Sequence, residues 1–278
     1  MSLINVSNLT FSYEGSYDNI FENVSFQIDT DWKLGFIGRN GRGKTTFLNL
    51  LLGKYAYSGN ISSTVKFEYF PYDVEDKSLC TIEVMKSICT ECMDWEIFRE
   101  ISLLDVQEDA LYRPFNTLSN GEQTKVLLAA LFLTASCFLL IDEPTNHLDI
   151  DARNVVQNYL KRKKGFILVS HDRSLLDQCV DHILSINKTN IEIQKGNFTS
   201  WWENKTLQDN FELAENKKLL KEIGRLSYAA KRSSNWSNKV EKSKYGTTNS
   251  GSKLDKGYVG HKAAKAMKRA KNIESRHQ

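Results

Sequence analysis

Apolar positions follow two regimes along this chain. Up to about residue 203 they gather in short runs, Lys33-Leu34-Gly35-Phe36-Ile37, Phe138-Leu139-Leu140-Ile141 and Phe166-Ile167-Leu168-Val169, each the length of a buried strand. Val65-Lys66-Phe67-Glu68-Tyr69-Phe70-Pro71 reads as a further strand. Thr46-Phe47-Leu48-Asn49-Leu50-Leu51-Leu52 predicts instead a helix that stops at Gly53. The stretch from Val126 to Ile141 carries no charge, but it falls short of the roughly 20 residues that span a bilayer and is interrupted by Thr134 and Ser136. It predicts a buried helix followed by a buried strand, and no membrane-spanning segment.

Beyond Gly196-Asn197-Phe198-Thr199-Ser200-Trp201-Trp202 the chain becomes long, polar and basic. Leu207, Phe211, Leu219, Ile223, Leu226 and Ala230 recur at helical steps, which predicts one apolar stripe on a long amphipathic helix. A second helical stretch runs from about His261 through Ala264, Met267, Ala270 and Ile273. Between them Tyr245-Gly246-Thr247-Thr248-Asn249-Ser250-Gly251 is rich in turn formers, so two antiparallel helices joined by a tip at about 245–257 are expected. The chain is thus read as a body over 1–203, with a helical portion at about 78–135, and a helical hairpin over 204–278.

A length of 278 residues with 41% hydrophobic content suits one full core plus an appendage. Charge sharpens that division. Residues 1–203 hold 19 Lys/Arg against 27 Asp/Glu, and residues 204–278 hold 18 against 7, so the net +3 splits into −8 and +11. A basic arm points to a polyanionic partner, with a solvated charged helix as the bland alternative. Trp236, Tyr245 and Tyr258, set among Lys231, Arg232, Lys239, Lys242, Lys244, Lys253, Lys256 and Lys262, favour RNA, because cations neutralise phosphates while aromatic rings stack on unpaired bases. Five cysteines, an odd number, fit reduced thiols, and Cys89-x-x-Cys92 lacks a second nearby pair to complete a zinc site. Met1-Ser2-Leu3-Ile4-Asn5-Val6 has neither the basic start nor the long apolar core of an export signal, so a cytoplasmic location is expected.

Candidate chemistry concentrates at Gly38-Arg39-Asn40-Gly41-Arg42-Gly43-Lys44-Thr45, which satisfies the phosphate-binding pattern G-x-x-x-x-G-K-[ST] and is followed by Thr46. Glycines let backbone N–H groups turn toward phosphate oxygens, Lys44 adds a point charge, and Thr45 offers a hydroxyl to Mg²⁺. A strand before and a helix after the loop are what the pattern requires. Phe138-Leu139-Leu140-Ile141-Asp142-Glu143 ends a strand in two carboxylates. In that arrangement Asp142 faces the metal, and Glu143, one residue further on, polarises an attacking water. ATP and Mg²⁺ are the ligands this implies.

From there the residues reach a family. Asp142-Glu143-Pro144-Thr145-Asn146-His147-Leu148-Asp149 resembles the Walker B and D-loop run of ABC ATPases, particularly of the ABC-F class. Leu118-Ser119-Asn120-Gly121-Glu122-Gln123 resembles the ABC signature, His171 in Ser170-His171-Asp172-Arg173 the switch histidine, and Tyr13 in Phe11-Ser12-Tyr13 the aromatic that stacks on adenine. The resemblance implies an α/β ABC-type P-loop domain with a helical subdomain, followed by an α-helical hairpin linker. It also assigns Ser119 and Gly121, ahead of a helix expected to begin near Gln123, to a second anion site that faces another subunit's γ-phosphate. His171 would hydrogen-bond the same phosphate. Where ABC proteins carry a glutamine that touches Mg²⁺, this chain has Tyr72 and Asp73, offering a hydroxyl and a carboxylate in its place. Asp255 to Lys265 resembles the interdomain linker of ABC-F ribosomal-protection proteins, those conferring resistance to lincosamides, streptogramin A compounds and pleuromutilins. Family members have two ATPase domains flanking this linker, so the sequence reads as the front half, and a complete site needs a second ABC domain or a homodimer. The implied function is ATP hydrolysis coupled to engagement of ribosomal RNA and tRNA, with antibiotic resistance as the outcome. An ATPase subunit of a membrane transporter and a truncated, non-hydrolysing nucleotide- or RNA-binding module are the alternatives.

Overall fold

The apolar runs are strands of one mixed sheet. In the computed structural model, which describes residues 2–146, 148–187, 190–242 and 256–275, the chain divides into two units, Met1–Glu203 and Asn204–Gln278. The first unit opens with β1 (Leu3–Phe11) and β2 (Phe21–Asp29), followed by β3 (Lys33–Ile37), α1 (Lys44–Leu51), β4 (Ser58–Ser62) and β5 (Lys66–Phe70). Helices α2 (Thr81–Ile88), α3 (Asp94–Leu103) and α4 (Asn120–Leu133) come next, then β6 (Cys137–Asp142), α5 (Ile150–Arg162), β7 (Phe166–Val169), α6 (Arg173–Cys179), β8 (His182–Asn187) and β9 (Asn190–Lys195).

Six strands lie in the order β5-β6-β7-β3-β8-β9, parallel except for the antiparallel edge strand β9, and a separate antiparallel sheet has the order β2-β1-β4. Both faces of the larger sheet are covered, which is why its strands read as continuous apolar runs. Along β6, Phe138 and Leu140 enter a core shared with β1, β2 and α1, while Leu139 and Ile141 enter one shared with α4, α5 and α6. The uncharged stretch resolves as expected into α4 and β6. Its helix begins at Asn120, earlier than the start expected near Gln123, because Ser119 caps it.

Two further differences concern α2 and α3. Cys89 closes α2 and Cys92 lies in the turn before α3, with Cα atoms 5.6 Å apart, and the two form a disulfide. That corrects the expectation of reduced thiols for this pair; Cys80, Cys137 and Cys179 are free. The buried carboxylate of Glu100 on α3 accepts from Tyr159 of α5 at 2.6 Å, from Lys163 just beyond α5 at 2.5 Å and from Arg99 at 3.1 Å. The hydrogen bonds from Lys163, Tyr159 and Arg99 hold its carboxyl below the usual range although burial pushes the other way. Sequence periodicity gives no sign of this clasp.

Helix α7 (Phe198–Lys242), most of it in the second unit, is followed by α8 (Lys256–Ser275). Ser233 Oγ donates to the Ala266 carbonyl at 3.0 Å and Ser237 Oγ to the Ala263 carbonyl at 2.8 Å, so the pairing runs antiparallel. The seam consists of small residues, Ala230, Ser237, Ala263 and Ala266, all buried. Of the expected stripe, Ala230 enters this seam, whereas the large residues Leu207, at 68%, and Phe211, at 69%, are exposed; on α8 the buried residues are Ala263 and Ala266. Helix α8 starts at Lys256, ahead of the expected His261; of the tip at about 245–257, positions 245–255 lie outside the described residues.

Candidate active site

Three connections leave the same edge of the sheet. The loop from Gly38 to Gly43 follows β3, Asp142 and Glu143 close β6, and Ser170-His171 follow β7; the register pairs Asp142 with Val169 and thereby sets the second and third side by side. The loop leads into α1, whose N-cap Gly43 has φ 93°, a left-handed conformation that suits glycine. A Cβ built there would approach Ile20 Cγ2 to 2.5 Å, so no other residue fits unchanged. Helix α1 is anchored by Phe47, Leu48, Leu50 and Leu51 in the core, which fixes its first-turn N–H groups toward the loop.

A cavity of about 450 Å³ lies at this edge, lined by Tyr13, Ile20, Asn40, Gly41, Gly43, Lys44, Thr45, Thr46, Asp142, Glu143, Val169 and His171. Lys44 Nζ donates to the Gly38 carbonyl at 2.9 Å. Burial lowers the pKa of its ammonium, offset in part by Glu143 and then Asp142. Thr45 Oγ1 donates to Asp142 Oδ2 at 3.1 Å, bringing a hydroxyl and a carboxylate together as oxygen donors suited to a hard cation such as Mg²⁺. The Tyr13 hydroxyl is 2.8 Å from Thr46 Oγ1, and its ring is edge-on to Phe11 and Tyr55.

Glu143 leaves the strand at φ 51°, an uncommon region for a side chain with a Cβ, while its N–H still donates to the Val169 carbonyl at 2.9 Å. His171 N–H donates to Glu143 Oε2 at 3.4 Å, and His171 Nε2 lies 3.5 Å from Oε1. Glu143 Oε1 is buried and has no hydrogen-bond partner among the described residues, so that approach is not a bond. Burial raises the Glu143 carboxyl above the ordinary range; His171 and Lys44 pull it back and Asp142 adds to the rise. A carboxylate that lines a polar cavity and whose pKa burial raises can accept a proton from water.

The remaining candidates lie elsewhere. Gly38, Arg39 and Arg42 complete the loop without lining the cavity. Ser119 and Gly121 stand at the start of α4, also outside it. There Ser119 N–H and Oγ both donate to Glu122 Oε2 at 2.8 Å, while Glu122 N–H donates to Ser119 Oγ at 3.2 Å, a reciprocal cap that holds the Glu122 carboxyl below its usual range through the Ser119 N–H first. The serine donors expected to be open to an anion are therefore engaged by this chain's own carboxylate. Tyr72 packs half-buried against the helical core and Asp73 is exposed; neither lines the cavity. A tyrosine that does reach Asp142, beside Thr45, is Tyr69, whose hydroxyl donates to Asp142 Oδ2 at 3.1 Å. Burial and then Asp142 raise its phenol pKa. In the sequence Tyr69 is one more strand aromatic; only its position on β5, hydrogen-bonded beside β6, connects it to Asp142.

Residues 21–146 match the family model described as ABC transporter. The fold agrees with that of a solved ABC transporter in an inward-facing conformation, with a TM-score of 0.56 over 70% of this chain and 84% of that one at 22% identity. The body is an ABC-type ATP-binding domain of α/β fold with a helical extension following it. Its relatives include the ribosome protection protein VmlR of Bacillus subtilis (strain 168), 31% identical over 201 residues, covering 69% of this chain and 35% of that protein. The erythromycin resistance ATP-binding protein MsrA of Staphylococcus epidermidis is 34% identical over 187 residues, covering 65% and 34%. ATP-binding cassette sub-family F member 2 of Mus musculus is 31% identical over 212 residues, covering 72% and 33%. The chain spans about a third of the length of most curated relatives it matches. Among the described residues no helix is long and apolar enough to cross a membrane.

Proposed function

We propose that this chain is one ATPase half of an ABC-F protein that engages the ribosome through residues 204–278 and acts in antibiotic protection. The meeting of α1 with the Asp142–Glu143 pair supports ATP as the ligand. In this reading Lys44 and the loop N–H groups hold the phosphates, Thr45 and Asp142 hold Mg²⁺, and Tyr13 supports the base. Mg²⁺, when bound, supplies neutralisation of charge on the phosphate oxygens. Glu143 orients the attacking water and takes its proton on the carboxylate, and His171 positions the Glu143 carboxylate and contacts the terminal phosphate. Ser119 and Gly121 serve the phosphate bound by a second ABC domain or a second copy of this chain.

The single observation that supports a ribosomal partner is the charge of the second unit, 18 Lys/Arg against 7 Asp/Glu in sequence, with Lys231, Arg232, Lys239 and Lys242 exposed on α7 while the buried seam among the described residues is made of alanine and serine. That a relative is named a ribosome protection protein agrees with it. Ribosome sedimentation across a salt series tests the reading. Changing Lys231, Arg232, Lys239 and Lys242 together to alanine should weaken association and flatten its salt dependence, since each phosphate that a cation neutralises accounts for about 0.7–0.9 of the slope. Association unchanged by the four substitutions would sink it.

A further inference from the structure

The ATPase body carries a second basic surface, at the end of the sheet away from the cavity. Helix α5 ends in Lys161-Arg162, followed by Lys163-Lys164, immediately before β7 begins at Phe166. Cations in a last helical turn ordinarily answer the negative end of the helix. Here Lys33, at the start of β3, already donates from Nζ to the Lys161 carbonyl at 2.9 Å. Lys163 is turned inward, bonded to the buried Glu100 and lying over the rings of Phe132 and Tyr159. Lys161, Arg162 and Lys164 are exposed, and no salt bridge engages them among the described residues.

Glu100 ties this run to an aromatic platform. Its other oxygen accepts from Arg99, whose guanidinium lies 5.3 Å from the centre of the Trp95 ring, and Trp95 is 57% exposed. The carboxylates beside Trp95 are occupied: Asp94 pairs with Lys86, and Glu96 accepts from the Met93 N–H. Asp31 is exposed near Lys33, Asp181 accepts from the Lys33 N–H, and on the α3 side Glu91, Asp105, Glu108 and Asp109 are exposed, so the cations of the strip are flanked by acids at both ends. The result is a strip of outward cations leading to an indole already stacked on a guanidinium, on a body with 19 Lys/Arg against 27 Asp/Glu.

We infer that Lys161, Arg162, Lys164, Arg99 and Trp95 form a single-stranded RNA-binding strip on the ATPase body, separate from the arm. Cations alone would suit any polyanion. The exposed Trp95–Arg99 stack selects a partner with unpaired bases, because an indole face binds a base and offers little to an acidic peptide. The inference shares its partner class with the proposed function but stands on residues of the first unit only.

The test uses the full chain and a fluorescently labelled oligouridine, read by anisotropy over a salt series. Lys161→Gln, Arg162→Gln and Lys164→Gln together should lower the slope of log affinity against log salt by about 2 and the affinity at moderate salt by at least tenfold, since on a single strand each neutralised phosphate is worth about 0.7 of the slope. Trp95→Ala should weaken binding by about tenfold with the slope unchanged, and should leave binding of heparin, a polyanion without bases, unaltered. Fluorescent ATP-analogue binding serves as the folding control, since none of these residues lines the nucleotide cavity. If Trp95→Ala binds oligouridine like the parent, or weakens heparin equally, the strip is a general polyanion surface and the inference fails. Should the Lys231/Arg232/Lys239/Lys242 variant lose all oligouridine binding while both body variants match the parent, the strip fails and the arm reading stands. The reverse outcome would uphold the strip and remove the arm.

Discussion

At the scale of single residues, the site turns on two carboxylates in different surroundings. Asp142 accepts from Thr45 and Tyr69, whereas Glu143 keeps one oxygen buried and without a hydrogen bond. Glu143→Gln should preserve nucleotide affinity and lower hydrolysis by about 10²–10⁴, measured with a complementary second domain present. Because burial raises the Glu143 carboxyl, its ionised form is lost as pH falls through a value above the ordinary glutamate range, and the acid limb of the parent's rate profile should lie correspondingly high. The same shift has a stability sign: a carboxylate with a raised folded-state pKa contributes stability below its unfolded pKa and loses it as pH rises through the folded one. Glu143→Gln should therefore melt higher than the parent at neutral pH, with the gap closing in acid. Near-normal turnover, or a melting difference that grows in acid, would remove Glu143 from this role. Tyr69→Phe tests the other carboxylate. Without the hydroxyl, Asp142 is less firmly oriented, and the Mg²⁺ concentration for half-maximal nucleotide binding should rise about two- to tenfold while metal-free nucleotide binding stays constant. An unchanged Mg²⁺ requirement would show that Thr45 alone orients Asp142.

At the scale of elements, what could be read from the sequence follows the size of the side chains that decide each element. Strands β3, β6 and β7 are buried on both faces, so their apolar runs stand out, and Lys33–Ile37 is matched end for end. The loop at Gly38–Thr45 was legible because its pattern fixes backbone shape as well as chemistry. The start of α4 was misplaced although Ser119-Asn120-Gly121-Glu122 is itself a capping-box pattern, so there the signal was present and outweighed by the apolar run beyond it. Of the hairpin's expected apolar stripe only Ala230 proved to lie in the seam, because alanine and serine, not leucine and phenylalanine, make that seam, and hydrophobicity gives small residues little weight. Tyr69 and the Glu100 clasp were illegible for a different reason. Their partners are 73, 59 and 63 positions away along the chain, and only tertiary register brings them together.

At the scale of the whole molecule, nucleotide cavity and signature are held apart: neither Ser119 nor Gly121 lines the cavity that Lys44, Thr45, Asp142 and Glu143 share. The isolated chain should thus bind Mg²⁺·ATP yet hydrolyse it slowly, with turnover per molecule rising with protein concentration. Brisk turnover independent of concentration would mean that one copy closes its own site, and none at any concentration, even with a second domain supplied, would favour a binding module. In the proposed two-domain arrangement the Ser119–Glu122 clasp would set the terms of association. A phosphate presented there from a second domain would arrive at donors that already hold an anion, so assembly would be an exchange in which one negative group evicts another. The affinity between halves would then be a difference between two charge-assisted interactions and not the full strength of either, which would keep it small. A terminal phosphate carrying more charge than a single carboxylate would win the exchange, whereas a shorter nucleotide that fails to reach the serine would leave Glu122 in possession; on that reading the internal carboxylate would act as a threshold that ties the meeting of the halves to the length of the nucleotide.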